Sequence, residues 1–387
     1  MSPGAPAPIE WVTPEQEAFF GHVLEFAESL PDRTREHDRA GAFDREAWDR
    51  CGAFGLTGLP GPAELGGGGV DAVTTMLALE ALGQGCRDAG LVFSINAHLW
   101  TSVVPLSAFG TADQQQRWLP DLCAGRAIGC HAITEPDAGS DVFSMSAVGA
   151  PVDGGYVLKG SKVFITNAPV ADLVIVFVRT SEGIGPYGLS AFLLERGMPG
   201  LSIGPPADKM GLRTSPMAEV VLEDCLVAPD AMLGAPGQGG EIFQHAMRWE
   251  RSCIMASQVG AMRRTMLGCV AYARQRHQFG QAIAKFESVA DKIADMKIAV
   301  DASRALVLRV GWLMDRGHDA MVEAAVTKTF VSEAAVRTNL DAVQIHGGHG
   351  YMTELGIERG LRDAVAGTIY SGTSEIQRRI IARGLGL

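Results

Sequence analysis

Apolar and polar positions along the chain change their spacing at two points. From about residue 13 to residue 124 they follow a helical pattern, and residues 13–16 (TPEQ) place a threonine N-cap before a proline at the first helical position. Between about residues 126 and 236 the apolar residues instead come in short runs, rich in β-branched side chains and separated by turn signals. The first region is therefore predicted to be helical and the second to consist of strands.

Helical spacing returns from about residue 240 to the end of the chain. One apolar stripe there recurs at intervals of four, three and four residues: Val289, Ile293, Met296 and Val300. Consecutive strands without intervening helices favour an antiparallel sheet or barrel. We therefore predict an α+β fold with an N-terminal helical domain (residues 1–125), a central antiparallel β-barrel or sheet domain (126–236) and a C-terminal helical domain (237–387).

Composition excludes several classes of protein. The chain has 387 residues and a formal net charge of −11, which argues against a nucleic-acid surface or an anionic-membrane surface because both need surplus Lys and Arg. Its seven cysteines form no C-x-x-C pair and their number is odd, so neither a disulfide framework nor a zinc site is expected. The nine histidines show no ligand spacing, and no metal is expected.

The first ten residues bear on localisation. Residues 1–10 are rich in Pro, Gly and Ala and lack the cationic start and apolar stretch of a signal peptide, so we predict a frayed tail. The sequence contains no run of about 18 uninterrupted apolar residues, so no membrane span is predicted. Together with the cysteine pattern, which suits a reducing compartment, this favours a cytoplasmic protein.

Five ordered motifs indicate the chemistry. They are ITEPDAGSD at residues 133–141, FITN at 164–167, RHQFG at 276–280, QIHGG at 344–348 and SGTS at 371–374. In this order and in these regions they resemble the acyl-CoA dehydrogenase family, and the resemblance covers residues 13–387. It implies an FAD cofactor, a four-helix bundle as the C-terminal domain, and oxidation of an acyl thioester beside its carbonyl group.

The resemblance also implies which residues line the flavin ring. They come from the first two motifs and the residues beside them: His131, Ile133, Thr134, Gly139, Ser140, Phe164, Ile165 and Thr166. Backbone N–H groups and hydroxyls suit the polar edge of a ligand in a mostly apolar pocket. Phe164 stands where the family usually has Trp and keeps a flat contact, although a Phe in an apolar strand is by itself more often a core residue.

Other motif residues are implied to reach the FAD of a neighbouring subunit: Arg276, Gln278, Phe279, Gln344, Ile345, Gly347 and Gly348. A guanidinium grips a pyrophosphate with two prongs, which Lys cannot do, although a solvated surface Arg is the alternative for Arg276. The flavin site would then exist only in a homo-oligomer, a dimer or tetramer. Thr373 and Glu375 in the final motif are further implied cofactor contacts.

The catalytic base requires a carboxylate that can remove the α-proton of the thioester. Many family members place a Glu directly before Gly-Thr-Ser, but this chain has Ser371 there. A minority branch, which includes isovaleryl-CoA dehydrogenase, keeps the base on an earlier helix before an Arg, and Glu250 precedes Arg251 in the matching place. Glu250 is thus the candidate base, and a paired structural charge is the alternative. Burial would raise its pKa and Arg251 would lower it.

Substrate contacts follow from the same resemblance. The backbone N–H at position 371 polarises the thioester carbonyl in the family, so Ser371 and Gly372 are candidate substrate residues, as are Ser140 and Arg251. Arg248 stands where CoA-using relatives often carry an Asp, which suits the acidic face of a carrier protein, although a solvated charge is equally common.

The identity of the thioester is left open between three hypotheses. The residues 249–251 (WER) together with residues 371–374 (SGTS) resemble a branch that dehydrogenates prolyl groups on carrier proteins, as do residues 88–94 and 381–387. The first hypothesis is therefore a dehydrogenase or oxidase of aminoacyl or acyl groups on a phosphopantetheine carrier protein in natural-product biosynthesis. The second is a catabolic short- or branched-chain acyl-CoA dehydrogenase. The third is a flavoprotein that performs non-redox chemistry through a thioester enolate.

Overall fold

The computed structural model describes residues 11–182 and 185–387, so the predicted N-terminal tail lies outside the described residues. The helices before the sheet are α1 (Pro14–Glu28), α2 (Thr34–Ala40), α3 (Arg45–Phe54), α4 (Ala72–Gly85), α5 (Ala89–His98), α6 (Val104–Phe109) and α7 (Ala112–Cys123). A π-helical turn, Leu99–Val103, joins α5 to α6. The predicted helical start is confirmed: Thr13 caps α1 by accepting a hydrogen bond from the backbone of Gln16, and Pro14 follows.

The most apolar helical stretch is a core element. Ala89–Phe109, which comprises α5, the π-helical turn and α6, is long and apolar enough to cross a membrane, but 89% of its most apolar window is buried inside the fold. It packs beside α4 and α8 in a cluster that includes Leu79, Ile95 and Ile254. Such burial makes it a core element of this fold.

The central sheet consists of β1 (Gly129–Ala132), β2 (Val148–Val152), β3 (Gly155–Thr166), β4 (Leu173–Arg179), β5 (Leu189–Glu195), β6 (Leu201–Ile203), β7 (Met217–Val227) and β8 (Met232–Leu233). Its order is β6-β7-β3-β2-β4-β5-β8, and β1 pairs with β4. Most pairs are antiparallel, as predicted, but β1 runs parallel to β4 and β2 makes one parallel bridge to it. The difference arises because the β2–β3 hairpin lies between β1 and β4 in the chain, so β4 returns in the direction of β1.

After the sheet come α8 (Gly239–Gln275), β9 (His277–Gln278), β10 (Gln281–Ala282), α9 (Glu287–Asp315), α10 (Met321–His346), α11 (Gly348–Tyr351), α12 (Ile357–Val365) and α13 (Ser374–Gly384). The long helices α8, α9 and α10 pack on one another, and α13 packs on α10. Met296 and Val300 of the predicted stripe are buried in α9. The predicted fold class is confirmed, whereas the domain boundaries at residues 125/126 and 236/237 stay predictions.

Candidate active site

A cavity of about 600 Å³ lies where the sheet, α5 with its π-helical turn, the first half of α8 and the loop before α13 meet. Thirteen of the residues predicted for the site line it: His131, Ile133, Thr134, Gly139, Ser140, Phe164, Ile165, Thr166, Glu250, Arg251, Ser371, Gly372 and Thr373. They come from four separate stretches of the chain, which the fold brings to one place.

The sheet wall of the cavity carries an exposed aromatic ring. The pairing of β3 with β7 shifts register between Lys162 and Ile165, and Phe164 within this irregularity has φ +58° and a 70% exposed side chain. A β-bulge re-aims a side chain in this way, so the interpretation of Phe164 as a core residue is wrong. The local strain is of the kind found at ligand sites.

A buried ion pair fixes the loop opposite Phe164. Nζ of Lys162 lies 2.7 Å from Oε1 of Glu135, and the two side chains are 0% and 4% exposed. The same carboxylate accepts hydrogen bonds from Ser146 and from the backbone of Ala147, so both of its oxygens have hydrogen-bond partners. The pair joins β3 to the loop that carries Thr134, and the sequence reading did not single it out.

The sheet wall fits the edge of a flat cofactor. Nδ1 of His131 is buried without a hydrogen-bond partner among the described residues, and burial lowers the pKa of this histidine to about 4, so its ring is neutral. The hydroxyl side chains of Thr134, Ser140 and Thr166 line the same wall beside the Phe164 ring. An exposed ring next to hydroxyls and an unpaired imidazole nitrogen suits a flat heteroaromatic group such as a flavin.

Glu250 lies on α8 at the opposite wall and is 9% exposed. Its Oε1 accepts a hydrogen bond from Oγ of Ser371 at 2.5 Å, and its Oε2 is buried without a partner among the described residues. Burial raises the pKa of Glu250, against the hydrogen bond from Ser371 and the charges of Arg251 and Lys328. Burial, which raises this pKa, therefore outweighs the nearby Arg251, which lowers it. One carboxylate oxygen is free to accept a proton.

Ser371 adopts a left-handed backbone conformation, with φ +56°. Its carbonyl accepts hydrogen bonds from Nε of Arg251 at 3.1 Å and from Nε2 of Gln377 at 3.0 Å. The next carbonyl, of Gly372, accepts from Nζ of Lys328 at 2.8 Å and from the same amide of Gln377. Three side chains from three helices therefore hold a strained turn against Glu250, a conformation that persists only when its surroundings determine it.

Two members of this clamp were missed from the sequence. Lys328 is 0% exposed in α10, and burial together with the charge of Arg251 lowers its pKa to about 8. Gln377 is also 0% exposed, in α13. The one available signal was a lysine among small and apolar residues in a helical segment, because such a lysine must find a buried partner.

The remaining predicted residues lie outside the cavity lining. Arg276, Gln278 and Phe279 form the β9–β10 hairpin after α8 and are exposed, Phe279 to 93%. At a rise of about 1.5 Å per residue, Arg276 lies roughly 39 Å along α8 from Glu250. Arg248 is exposed on the first half of α8.

The predicted glycine motif at the end of α10 is also separate from the cavity. Gln344, Gly347 and Gly348 are exposed there, whereas the side chain of Ile345 packs in a hydrophobic cluster and is 7% exposed. Glu375 is exposed in the first turn of α13, where Thr373 caps the helix.

Comparison with known proteins gives matches along the whole chain. Three family models match it: "Acyl-CoA dehydrogenase, N-terminal domain" over residues 13–126, "middle domain" over 130–225 and "C-terminal domain" over 237–386. An L-prolyl-[peptidyl-carrier protein] dehydrogenase from Serratia sp. is 42% identical over 342 residues, covering 88% of this chain and 89% of that protein.

Solved structures agree with this match. The prolyl acyl carrier protein oxidase AnaB superposes with a TM-score of 0.95 and 43% identity, covering 97% of this chain and 100% of that one. PigA in complex with FAD and proline has a TM-score of 0.95 and 39% identity, over 97% of this chain and 98% of that one.

Proposed function

Because the chain belongs to the acyl-CoA dehydrogenase family, we propose that it dehydrogenates the Cα–Cβ bond of an aminoacyl thioester, prolyl or similar, on a phosphopantetheine carrier protein. It is an FAD-dependent oxidoreductase, like the PigA whose structure contains FAD. The observation that carries the proposal is the carboxylate of Glu250, which is buried, lines the cavity, and has one oxygen held by Ser371 and the other unpaired.

We assign the α-proton to Oε2 of Glu250. The Cα–H bond breaks, its electron pair stays on the thioester as the new double bond forms, and Glu250 becomes neutral. FAD, when bound, would supply the oxidant that accepts the hydride from the β-carbon. A base with a raised pKa suits this task because the reaction neutralises it inside an apolar cavity. The alternative of a structural ion pair has no support among the described residues, where Glu250 forms a hydrogen bond instead.

Ser371 and Gly372 have a second role in the proposal. Their backbone N–H groups are the donors for the thioester carbonyl, since any residue type supplies a backbone N–H. The clamp by Arg251, Gln377 and Lys328 supports this assignment because a turn that is held before substrate arrives needs no reorganisation during the reaction. In this proposal Arg251 therefore acts on the substrate indirectly, by holding the turn at Ser371 in place.

The FAD site is proposed to be completed by a second copy of the chain. Arg276 lies too far along α8 to reach the cavity of its own chain, yet it stands in a motif whose counterparts contact FAD in the family. Large apolar side chains are exposed in or shortly after the motifs at residues 276–280 and 344–348: Phe279, Tyr351, Met352 and Leu355. Exposed apolar patches of this kind mark interfaces, which supports a homodimer or a homotetramer. We place the enzyme in the cytoplasm.

A carrier protein is favoured over free CoA by two observations. The Serratia relative acts on a prolyl group on a peptidyl carrier protein, and AnaB is a prolyl acyl carrier protein oxidase. Arg248 is exposed close to Glu250 on α8, where its charge can meet an acidic carrier protein.

Anaerobic mixing of the purified flavoprotein with substrates tests the proposal. Loss of the oxidised flavin absorbance with a prolyl-loaded carrier protein, and not with a panel of acyl-CoAs, is the expected result. Reduction by an acyl-CoA alone would identify a catabolic acyl-CoA dehydrogenase. Conversion of a thioester without any flavin bleaching would instead indicate non-redox chemistry through an enolate.

A further inference from the structure

Thr101 places a hydroxyl in the cavity that no described residue pairs. Its side chain is 6% exposed, it lines the cavity that contains Glu250, and its Oγ1 has no hydrogen-bond partner in the described part of the chain. Buried hydroxyls are nearly always paired, so an unpaired one that faces a ligand cavity calls for an explanation.

Thr101 lies in a π-helical turn and has no local partner among the described residues. Val104 donates to the carbonyl of Leu99, five residues back, which is the π-helical pattern. Elsewhere in the same apolar stretch polar side chains bond the carbonyl four residues back: Asn96 donates to Val92 and Ser107 to Val103. In this turn that local bond is absent for Thr101.

Ser102 supplies a comparison within the turn. Its hydroxyl is also buried without a described partner, but Ser102 does not line the cavity and faces Gly129 of β1. A β-carbon at Gly129 would lie 2.2 Å from that hydroxyl, so this side of the turn is closed by packing. Of the two neighbours, Thr101 is the one that a bound molecule can reach.

The surroundings of Thr101 make its hydroxyl distinctive. The same cavity is also lined by apolar and aromatic side chains: Phe93, Ala97, Met247, Ile254 and Tyr370. The ring of Trp100 stacks on that of Trp249 with 6.0 Å between centroids, and these residues precede Thr101 and Glu250 in their helices. The stack joins the π-helical turn to the helix that carries the base, and Thr101 and Glu250 line the same cavity.

We propose that the Thr101 hydroxyl is a specificity determinant that accepts a hydrogen bond from an amino nitrogen on the acyl group. This inference rests on the proposed function and assigns to one residue the recognition of the amino group of the aminoacyl thioester. A purely aliphatic acyl group would displace water from the hydroxyl without replacing its hydrogen bond, which weakens binding. An N–H group on the acyl chain restores the bond, so the cavity discriminates between the two classes.

Two thioesters on the same carrier protein test this inference. Prolyl and cyclopentanecarbonyl groups differ by one ring N–H against one ring CH2, so the carrier is held constant. We expect the wild-type enzyme to reduce its flavin with the prolyl thioester at a kcat/KM about 10- to 100-fold higher. Thr101→Val, which has nearly the same shape, should lower that ratio by about tenfold. Thr101→Ser keeps the hydroxyl and should keep the ratio.

A binding measurement without turnover gives a second readout. Free L-proline and cyclopentanecarboxylate are titrated against the holoenzyme while the flavin spectrum is followed, and Thr101→Val should weaken only the L-proline affinity. An unchanged ratio and unchanged affinities in this variant, with flavin content intact, overturn the inference. So does a wild-type preference for the cyclopentane group. If the wild type reduces its flavin only with acyl-CoAs, the proposed function itself fails, which is a separate result.

Discussion

The cavity around Glu250 and the distal surface at the end of α8 contrast sharply, although both contain motifs of the same family. In the cavity, the hydroxyl of Ser371 donates to Glu250 and its carbonyl accepts from Arg251, and thirteen of the predicted residues line one space. On the distal surface, Arg276 and Phe279 are exposed, and so are Gln344, Gly347 and Gly348 of the glycine motif. The turn at Ser371 is held by contacts within a single chain, whereas the side chains of Arg276 and Phe279 face outward.

The contrast supports the proposal that the two regions of one chain belong to two different FAD sites of an oligomer. A strained turn and a buried carboxylate cost free energy, and they persist where the same chain supplies the contacts that hold them. Exposed aromatic and guanidinium groups cost little in the separate chain and gain their contacts on association. The cavity is therefore expected to govern chemistry, and the distal surface to govern cofactor retention in a neighbouring subunit.

The largest expected effect comes from removing the base in the cavity. Glu250→Gln keeps the shape and the hydrogen bond to Ser371 but cannot accept the α-proton, so turnover should fall by roughly 10²-fold or more while FAD remains bound. Steady-state rates and the flavin absorbance of the purified variant measure both quantities. Glu241→Gln, an exposed change on the same helix, is the matched control. Near-normal turnover in Glu250→Gln would remove this residue from the mechanism.

The next effect tests whether the distal surface acts on a partner subunit. Arg276→Ala should weaken FAD binding by roughly 10- to 100-fold, because it removes charge-assisted hydrogen bonds to phosphate. Mixing this variant with Glu250→Gln under conditions that exchange subunits should then restore activity. A hybrid dimer contains one site with both Glu250 and Arg276 if the arginine acts across the interface, so a statistical mixture should recover about a quarter of wild-type turnover.

The control for this mixture uses the same stretch of chain. Arg274→Ala alters another exposed arginine in the last turn of α8 and should leave FAD binding unchanged. If Arg276 serves its own chain, every hybrid site lacks either Glu250 or Arg276, and mixing restores nothing. That outcome would contradict the proposal that Arg276 acts on the FAD site of a neighbouring subunit.

Much of the fold was predictable from spacing and motifs. The helix, sheet and helix order, the Thr13 cap and the α9 stripe follow from local patterns that the structure confirms. The parallel pairing of β1 with β4 could not be predicted, because the residues of a strand do not indicate which distant strand it pairs with. The exposure of Phe164 also depends on a register shift between two strands, which hydrophobicity alone cannot reveal.

The site was predictable where motifs carry it and not where tertiary contacts do. Glu250 was predicted because it directly precedes Arg251, at the position where a branch of the family keeps its catalytic base. Lys328 and Gln377 lie in α10 and α13, and their function depends on carbonyls of a loop that only the folded chain brings near. Thr101 was missed because the sequence does not show which buried hydroxyls the fold leaves without a partner.

The smallest effect is expected from the turn beside the base, and it separates the hydroxyl of Ser371 from its backbone. Ser371→Ala and Ser371→Gly both remove the hydrogen bond to Glu250, and only Gly relieves the positive φ of +56°. That bond lowers the pKa of Glu250 against the rise caused by burial, so its loss raises the pKa further. The base then ionises at higher pH, and the acid limb of the kcat profile should move to higher pH in both variants. Arg251, Lys328 and Tyr370 remain in place, so a shift in Ala alone would trace the effect to backbone strain, and no shift in either would leave Ser371 without influence on the base.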